Sequence, residues 1–260
     1  MRVLGEIKTI DDWERFGGPL SGDQWVDGHS AKELAKAWMS KKGPRVPRDF
    51  WKLLQSHQAT RDLKIGDVFP EARLTFDECG GNVRNSDLAF VGTNPGGTLA
   101  VTVEAKADEP FGNYSISEEI ERSKQLLVAT PKSKKLARID GLLNGLLGQS
   151  TDSVSPEIGE LRYQLFTALA GTLAFAKENA AQAAVMVIHV FRTDLTTKKR
   201  IESNDEDYCH FLNVLERISG TQSSGSSFHG PFQVEGRDRY TNPPPFYITK
   251  LTTDLRSVPA

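Results

Sequence analysis

A chain of 260 residues with 38% apolar side chains can bury a sizeable core, and a formal net charge of −2 excludes a uniformly basic coat for nucleic acid. No stretch approaches the roughly 20 apolar residues of a membrane-spanning helix, which argues against a membrane protein. Cys79 and Cys209 lie far apart with no CxxC partner, so neither a zinc site nor a disulfide framework is indicated, and both read as reduced thiols buried as small hydrophobes.

The first 28 residues read as mixed and turn-rich. The opening MRVLGEIKTIDDWERFGG breaks every apolar run with charge and carries no signal-peptide core, which predicts a cytoplasmic location. SAKELAKAW then starts a helix, with Ser30 as N-cap and Glu33 three residues on as the partner of a capping box. GPRVPRD interrupts, and Asp49-Phe50-Trp51-Lys52-Leu53-Leu54 opens a second helix; both are expected before any strand.

From Ala72 the pattern changes. ARLTFDEC alternates, GGNVRNS has turn chemistry, DLAFVG is strand-like, TNPGG is a second turn and TLAVTVEAKA is rich in β-branched residues, together a three-stranded antiparallel meander. Residues 111–155 read as a helical insertion, with helices near Ser117–Val128 and Ser133–Leu147. A long helix is expected over Glu157–Ala181. AAVMVIHVFR, apolar throughout, is then a strand covered on both faces and central in its sheet. A helix near Asp205–Ile218, the Gly/Ser loop TQSSGSSFHG and a last strand PFYITKL complete the chain. The class is α/β, a mixed β-sheet flanked by helices, read as one domain over 1–260 with a core of about 30–192 and a C-terminal extension over 193–260.

The hairpin between Asp87 and Lys106 carries the chemistry. A turn centred on Pro95-Gly96 sets Asp87 opposite Glu104, with Cβ atoms ~5 Å apart on one face, and Lys106 emerges on that face two residues later. Like charges facing each other across a sheet are destabilising, and a divalent cation is the natural compensation. Mg²⁺, with Mn²⁺ as a substitute, suits one or two carboxylates, and the carbonyl of Ala105 could add a ligand. Such an ion polarises a phosphoryl oxygen and activates water while Lys106 stabilises developing charge. The plainer alternative makes Asp87 a turn cap and Glu104 and Lys106 solvent-facing residues of an edge strand.

With Ser86-Asp87 as the first half of a motif and Glu104-Ala105-Lys106 as the second, residues 30–192 resemble the PD-(D/E)XK nuclease superfamily, whose core order is helix, three-stranded meander, helix, strand. Ser86 stands where that family's name has Pro. The resemblance implies a restriction-endonuclease-like fold, an acidic residue on the first helix, which falls at Glu33, and a polar or basic residue on the helix after the E-x-K strand, which falls at Arg162 or Gln164. It also implies Mg²⁺-dependent cleavage of nucleic acid, DNA more than RNA, as an endonuclease; cutting both strands of a duplex would suit a homodimer. A nuclease-fold module that binds nucleic acid or a protein partner without cleaving is the alternative.

Other features read as structural. His29, His57, His189, His210 and His229 are scattered, and His189, inside VIHVF, is expected to be a core histidine. Asp108 and Glu109 are weaker candidates for the metal. Asn94-Pro95-Gly96-Gly97 lacks a following helix and the GK[ST] ending of a phosphate loop, so a tight hairpin accounts for it. Aromatics between Phe228 and Tyr247 could stack on bases, though a core role fits better. Three basic clusters stand out: Lys41, Lys42, Arg45 and Arg48; Lys132, Lys134, Lys135 and Arg138; and Lys198, Lys199 and Arg200.

Overall fold

The structure, a computed structural model, describes residues 2–3, 7–19, 22–77, 79–80, 84–222 and 227–256. Part of the first predicted meander turn, at 81–83, and part of the Ser/Gly loop, at 223–226, lie outside them.

A two-residue strand, β1 (Arg2–Val3), precedes helix α1 (Ile10–Gly17), in the region expected to be turn-rich. Thr9 caps α1, its hydroxyl accepting the Asp12 N–H at 3.1 Å while the Asp12 carboxylate accepts the Thr9 N–H at 2.8 Å. Helix α2 (Ser30–Trp38) begins where expected, but its N-cap is His29 and the predicted capping box does not form. Ser30 is already helical and Glu33 sits one position too far along. Gly28, at φ +89°, turns the chain so that its own N–H reaches the Glu33 carboxylate at 2.8 Å instead. A miniature hairpin, β2 (Met39–Ser40) with β3 (Gly43–Pro44), leads to α3 (Arg48–Gln55).

The meander is β4 (Lys64–Leu74), β5 (Arg84–Asn94) and β6 (Gly97–Lys106). Its first strand lies eight residues earlier than expected, because Gly66 and Pro70 look like breakers. Pro70 is tolerated because β4 has only two-residue β1 on its outer side, so no full ladder needs its missing N–H. The two-residue turn Pro95-Gly96 is as expected, with Asn94 facing Gly97, the latter at φ +116°.

Helices α4 (Ile116–Ala129) and α5 (Lys135–Leu147) fill the predicted insertion. The long helix expected over 157–181 is divided. One turn, α6 (Pro156–Gly159), is followed by an extended Arg162 bridging to Ser115, and the helix proper, α7, is Tyr163–Glu178. Next come β7 (Ala183–Arg192), α8 (Lys198–Ser219), β8 (Phe228–Phe232) and β9 (Phe246–Asp254).

The sheet order is β1-β4-β5-β6-β7-β9-β8, with β6, β7 and β9 parallel to their neighbours in that run and the other main pairs antiparallel. The apolar strand β7 is central, as its sequence demands. The segment read as a C-terminal extension supplies the strand beside it.

Helices α1–α3 cover one face, where Trp38, Phe50 and Phe90 pack with ring centroids 5.1–6.2 Å apart on Val101, Val103 and Val187. Helices α4, α5, α7 and α8 cover the other face, on Ala100, Met186, Ile188 and Ile248. Alternation along β6 therefore aims Thr102, Glu104 and Lys106 at α7, where Thr102 meets Thr172 at 2.5 Å.

The two cysteines depart from expectation, whereas Phe228 and His189 take the core places expected of them. Cys79 is half-buried and Cys209 exposed, so neither is the buried hydrophobe expected, though both are free thiols. Phe228 is buried and stacks on His57 at 4.6 Å, a core role and not a base-stacking platform. His189 is fully buried, with Nε2 3.0 Å from the Thr253 hydroxyl and Nδ1 unpartnered among the described residues.

Candidate active site

The β5–β6 ladder runs from Asn94–Gly97 to Leu88–Val103 and stops there. At the next position the strands splay, and the Asp87 carboxylate takes the Ala105 N–H at 2.6 Å. The expected register of Asp87 against Glu104 holds, but as the first unpaired level. The splay opens a cleft of about 530 Å³, lined among others by Ser30, Glu71, Asp87, Ala105, Lys106, Glu109 and Gln164. The N–H and C=O of one strand residue point to the same edge, so the Ala105 carbonyl also lies on the β5 side.

On the outer side of β5, the pairs Pro70–Leu88 and Ala72–Ser86 bracket Glu71 at the level of Asp87. Glu71 adopts φ +46°, an uncommon conformation for a side-chain-bearing residue. Asn85 donates to its carboxylate at 3.4 Å. Glu71, Asp87 and Glu104 thus form one row across three neighbouring strands. Glu71 was missed in the sequence because the strand was read from Ala72 onward.

Glu104 is the most heavily engaged of the three. The Arg84 guanidinium binds one carboxylate oxygen, and the other accepts from Lys106 Nζ at 3.1 Å and from the Gln164 amide at 2.7 Å. Gln164 reaches it because α7 starts only at Tyr163, which puts Gln164 in the first turn above the sheet. Arg162, the other candidate on this segment, turns away to bond Asp207 at 2.9 Å.

Burial and mutual repulsion set the charges. Burial, with Glu104 adding, raises the Glu71 carboxyl to about 7, partly offset by the Asn85 hydrogen bond and the Arg84 charge. Asp87 is pushed well above the ordinary carboxylate range, chiefly by burial and then by Glu104. For Lys106, burial pulls the pKa down, but Glu104, Glu109 and Asp87 together outweigh it and keep the ammonium charged. Glu109 is opposite in outcome: burial would raise it, yet Lys106, the Ser30 hydroxyl, its own backbone N–H and that of Ala107 hold it low.

Glu33 does not belong to this cleft. Its carboxylate is committed to Gly28 N–H and to Lys36 Nζ at 2.7 Å. The acidic partner near the first helix is instead Glu109, which accepts from Ser30, a residue that the sequence assigned to capping. His29, read as scattered, also lines the cleft, with Nδ1 3.3 Å from Asp108. Among the described residues no group of three or more His, Cys, Asp or Glu side chains is set as a ready-made metal cage.

Fold and site together define an α/β protein with a mixed sheet flanked by helices and a cleft of carboxylates and one charged lysine at the splayed end of a hairpin. The chain belongs to a family described as a domain of unknown function, DUF6946, whose model matches residues 6–240. No curated protein and no solved structure matches it. Among the described residues no helix is long and apolar enough to cross a membrane.

Proposed function

We propose that this chain is a metal-dependent phosphodiesterase of the PD-(D/E)XK kind, with a restriction-endonuclease-like fold, cleaving nucleic acid, DNA in preference to RNA, as an endonuclease. The observation that carries this reading is the row Glu71–Asp87–Glu104 with Lys106 on the same face of the sheet. Two of the three carboxyls, Glu71 and Asp87, are held well above the ordinary carboxylate range, chiefly by burial and further by the Glu104 charge, so their ionised forms lack compensation.

That electrostatic deficit is what a divalent cation supplies. Mg²⁺ characteristically takes one or two protein carboxylates and completes its shell with waters and phosphate oxygens. Asp87 and Glu71 would hold it, with the Ala105 carbonyl within the same edge. The chemistry it would supply there is polarisation of a phosphoryl oxygen and acidification of a water. The protein's own groups do the rest. Glu104 keeps Lys106 protonated and in place, Gln164 fixes Glu104, and Lys106 offers its N–H donors to the negative charge that develops on the phosphoryl oxygens.

The test is incubation of the purified chain and Asp87→Asn with supercoiled plasmid, linear duplex and single-stranded DNA and RNA, in Mg²⁺, Mn²⁺ or EDTA. Metal-dependent cleavage by wild type alone is the expected result. A folded wild type that cleaves nothing would overturn it. One observation favours a second reading, a silent nuclease-fold module that binds nucleic acid or a protein partner: Arg84, Lys106 and Gln164 already satisfy both oxygens of Glu104. That reading predicts binding without cleavage in every metal.

A further inference from the structure

Beside the carboxylate cleft lies a second cavity of about 470 Å³, lined by Phe76, Gly80, Arg84, Asn85, Lys134, Lys135, Arg138, Tyr163 and Thr167. It gathers part of one basic cluster seen in the sequence with Arg84, which that reading did not single out. Four of its lining residues are cations and, among the described residues, none is a carboxylate. The carboxylates that hold these cations lie outside the lining: Glu104 behind Arg84, Asp77 behind Arg138 at 2.5 Å and Glu119 behind Lys135 at 2.5 Å. Among the described residues, Lys134 has no carboxylate partner and is exposed.

Arginine carries five N–H donors and lysine three, so one carboxylate behind each leaves donors free for the cavity. The first turn of α5 opens here as well. Its N-cap, Lys134, makes no side-chain capping bond, so the positive end of the helix adds to the field.

The two cavities are neighbours that share one wall. Asn85 lines both, and Gln164 and Thr167, three apart and so neighbours on one side of α7, line one each. Arg84 stands at the junction, bonded to Glu104 on one side and to the Thr167 hydroxyl at 3.2 Å on the other. A ligand that spans both would offer one group to the carboxylates and lysine and a second, anionic group to the cations.

We infer that this basic cavity seats a phosphate of the nucleic-acid strand adjoining the phosphodiester held over Asp87 and Lys106, so that the substrate is a polynucleotide and not a phosphomonoester. The inference rests on the phosphodiesterase reading for the second position, but the binding it describes needs no cleavage. It is measured by fluorescence anisotropy of a labelled single strand and of its duplex, in EDTA, across about 50 to 200 mM salt.

Wild type is expected to bind with strong salt dependence. Lys134→Ala combined with Lys135→Ala is expected to lose about tenfold in affinity and to flatten the log–log salt slope by about one. Lys134→Glu alone, at an exposed position, gives the same direction without risk to the core. Lys198→Ala with Lys199→Ala, two exposed positions at the start of α8 that line neither cavity, is expected to bind as wild type. Failure of wild type to bind, equal binding by the Lys134 variants, or an equal loss in the α8 control would overturn the inference. So would displacement of the strand by a mononucleotide at similar concentration, which would mark a small phosphorylated ligand instead. Binding lost in the Lys134 variants from a protein that cleaves nothing would sustain this site while the catalytic reading fell.

Discussion

Glu71 and Asp87 stand at one level of neighbouring strands, bracketed by the pairs Pro70–Leu88 and Ala72–Ser86, and burial keeps both carboxyls protonated far above the range of exposed ones. Two carboxylates so close in a place of low dielectric repel each other and lose solvation together. The metal-free protein therefore carries a cost that appears only when they ionise.

This cost should be visible in stability against pH in EDTA. An unfolded Glu71 releases its proton near 4.5 and the folded one near 7, so its contribution is complete below 4.5 and is lost as pH rises through about 7. Glu71→Gln should flatten that stretch of the curve and make the protein more stable than wild type at pH 8, by on the order of 3 kcal/mol or less. Thermal unfolding of both proteins from pH 4 to 8 measures it, and parallel curves would refute the assignment.

His189 should act in the opposite sense. Buried among Phe50 and Phe191, it is held neutral with a pKa down to about 3, burial being the cause. Its ordinary value is 6.5, so the unfolded state gains a proton first and stability is lost as pH falls from 6.5 toward 3. His189→Leu should lessen acid lability while leaving the curve above pH 7 unchanged in shape. An acid limb identical to that of wild type would show that other groups govern it.

Much of the fold was legible because the hydrophobic pattern of each element is local. The uniform apolar run 183–192 marked a central strand, and Asn94-Pro95-Gly96-Gly97 fixed the hairpin register that aligns Asp87 with Glu104. What stayed hidden depends on distant partners. The start of β4 was masked by Gly66 and Pro70, whose acceptability follows from an edge position no local pattern reports, and with that start went Glu71. Arg84 was missed and Glu109 underweighted for the same reason: their importance comes from a strand splay and from Ser30, 79 residues from Glu109 in sequence. Glu33 matched a helical spacing, but Gly28 diverted its carboxylate.

Arg84 and Glu104 are both largely buried, and each is the other's main charge partner on one side. Removing one member of a buried pair leaves a stranded charge, so Arg84→Gln should cost about 3 kcal/mol in urea unfolding. Arg84→Gln with Glu104→Gln should cost less than the two singles together by more than about 1 kcal/mol, since the double variant strands neither charge. Additive losses would mean that Lys106 and Gln164 alone balance Glu104.

Lys106 is 4% exposed; burial opposes its charge, but Glu104, Glu109 and Asp87 outweigh it and hold its pKa above the ordinary lysine value. If it stabilises charge on the phosphoryl oxygens, Lys106→Met should lower the single-turnover cleavage rate by about 10²–10³ at saturating Mg²⁺. Lys106→Arg keeps the charge but not the compact geometry, and should recover only part of that. Removing the lysine also removes one of the two cations on Glu104, so the methionine variant should melt lower than wild type and bind DNA no worse. A variant that cleaves at the wild-type rate would assign Lys106 to structure alone. Loss of rate together with loss of DNA affinity would place it in ground-state binding of the strand instead of the chemical step.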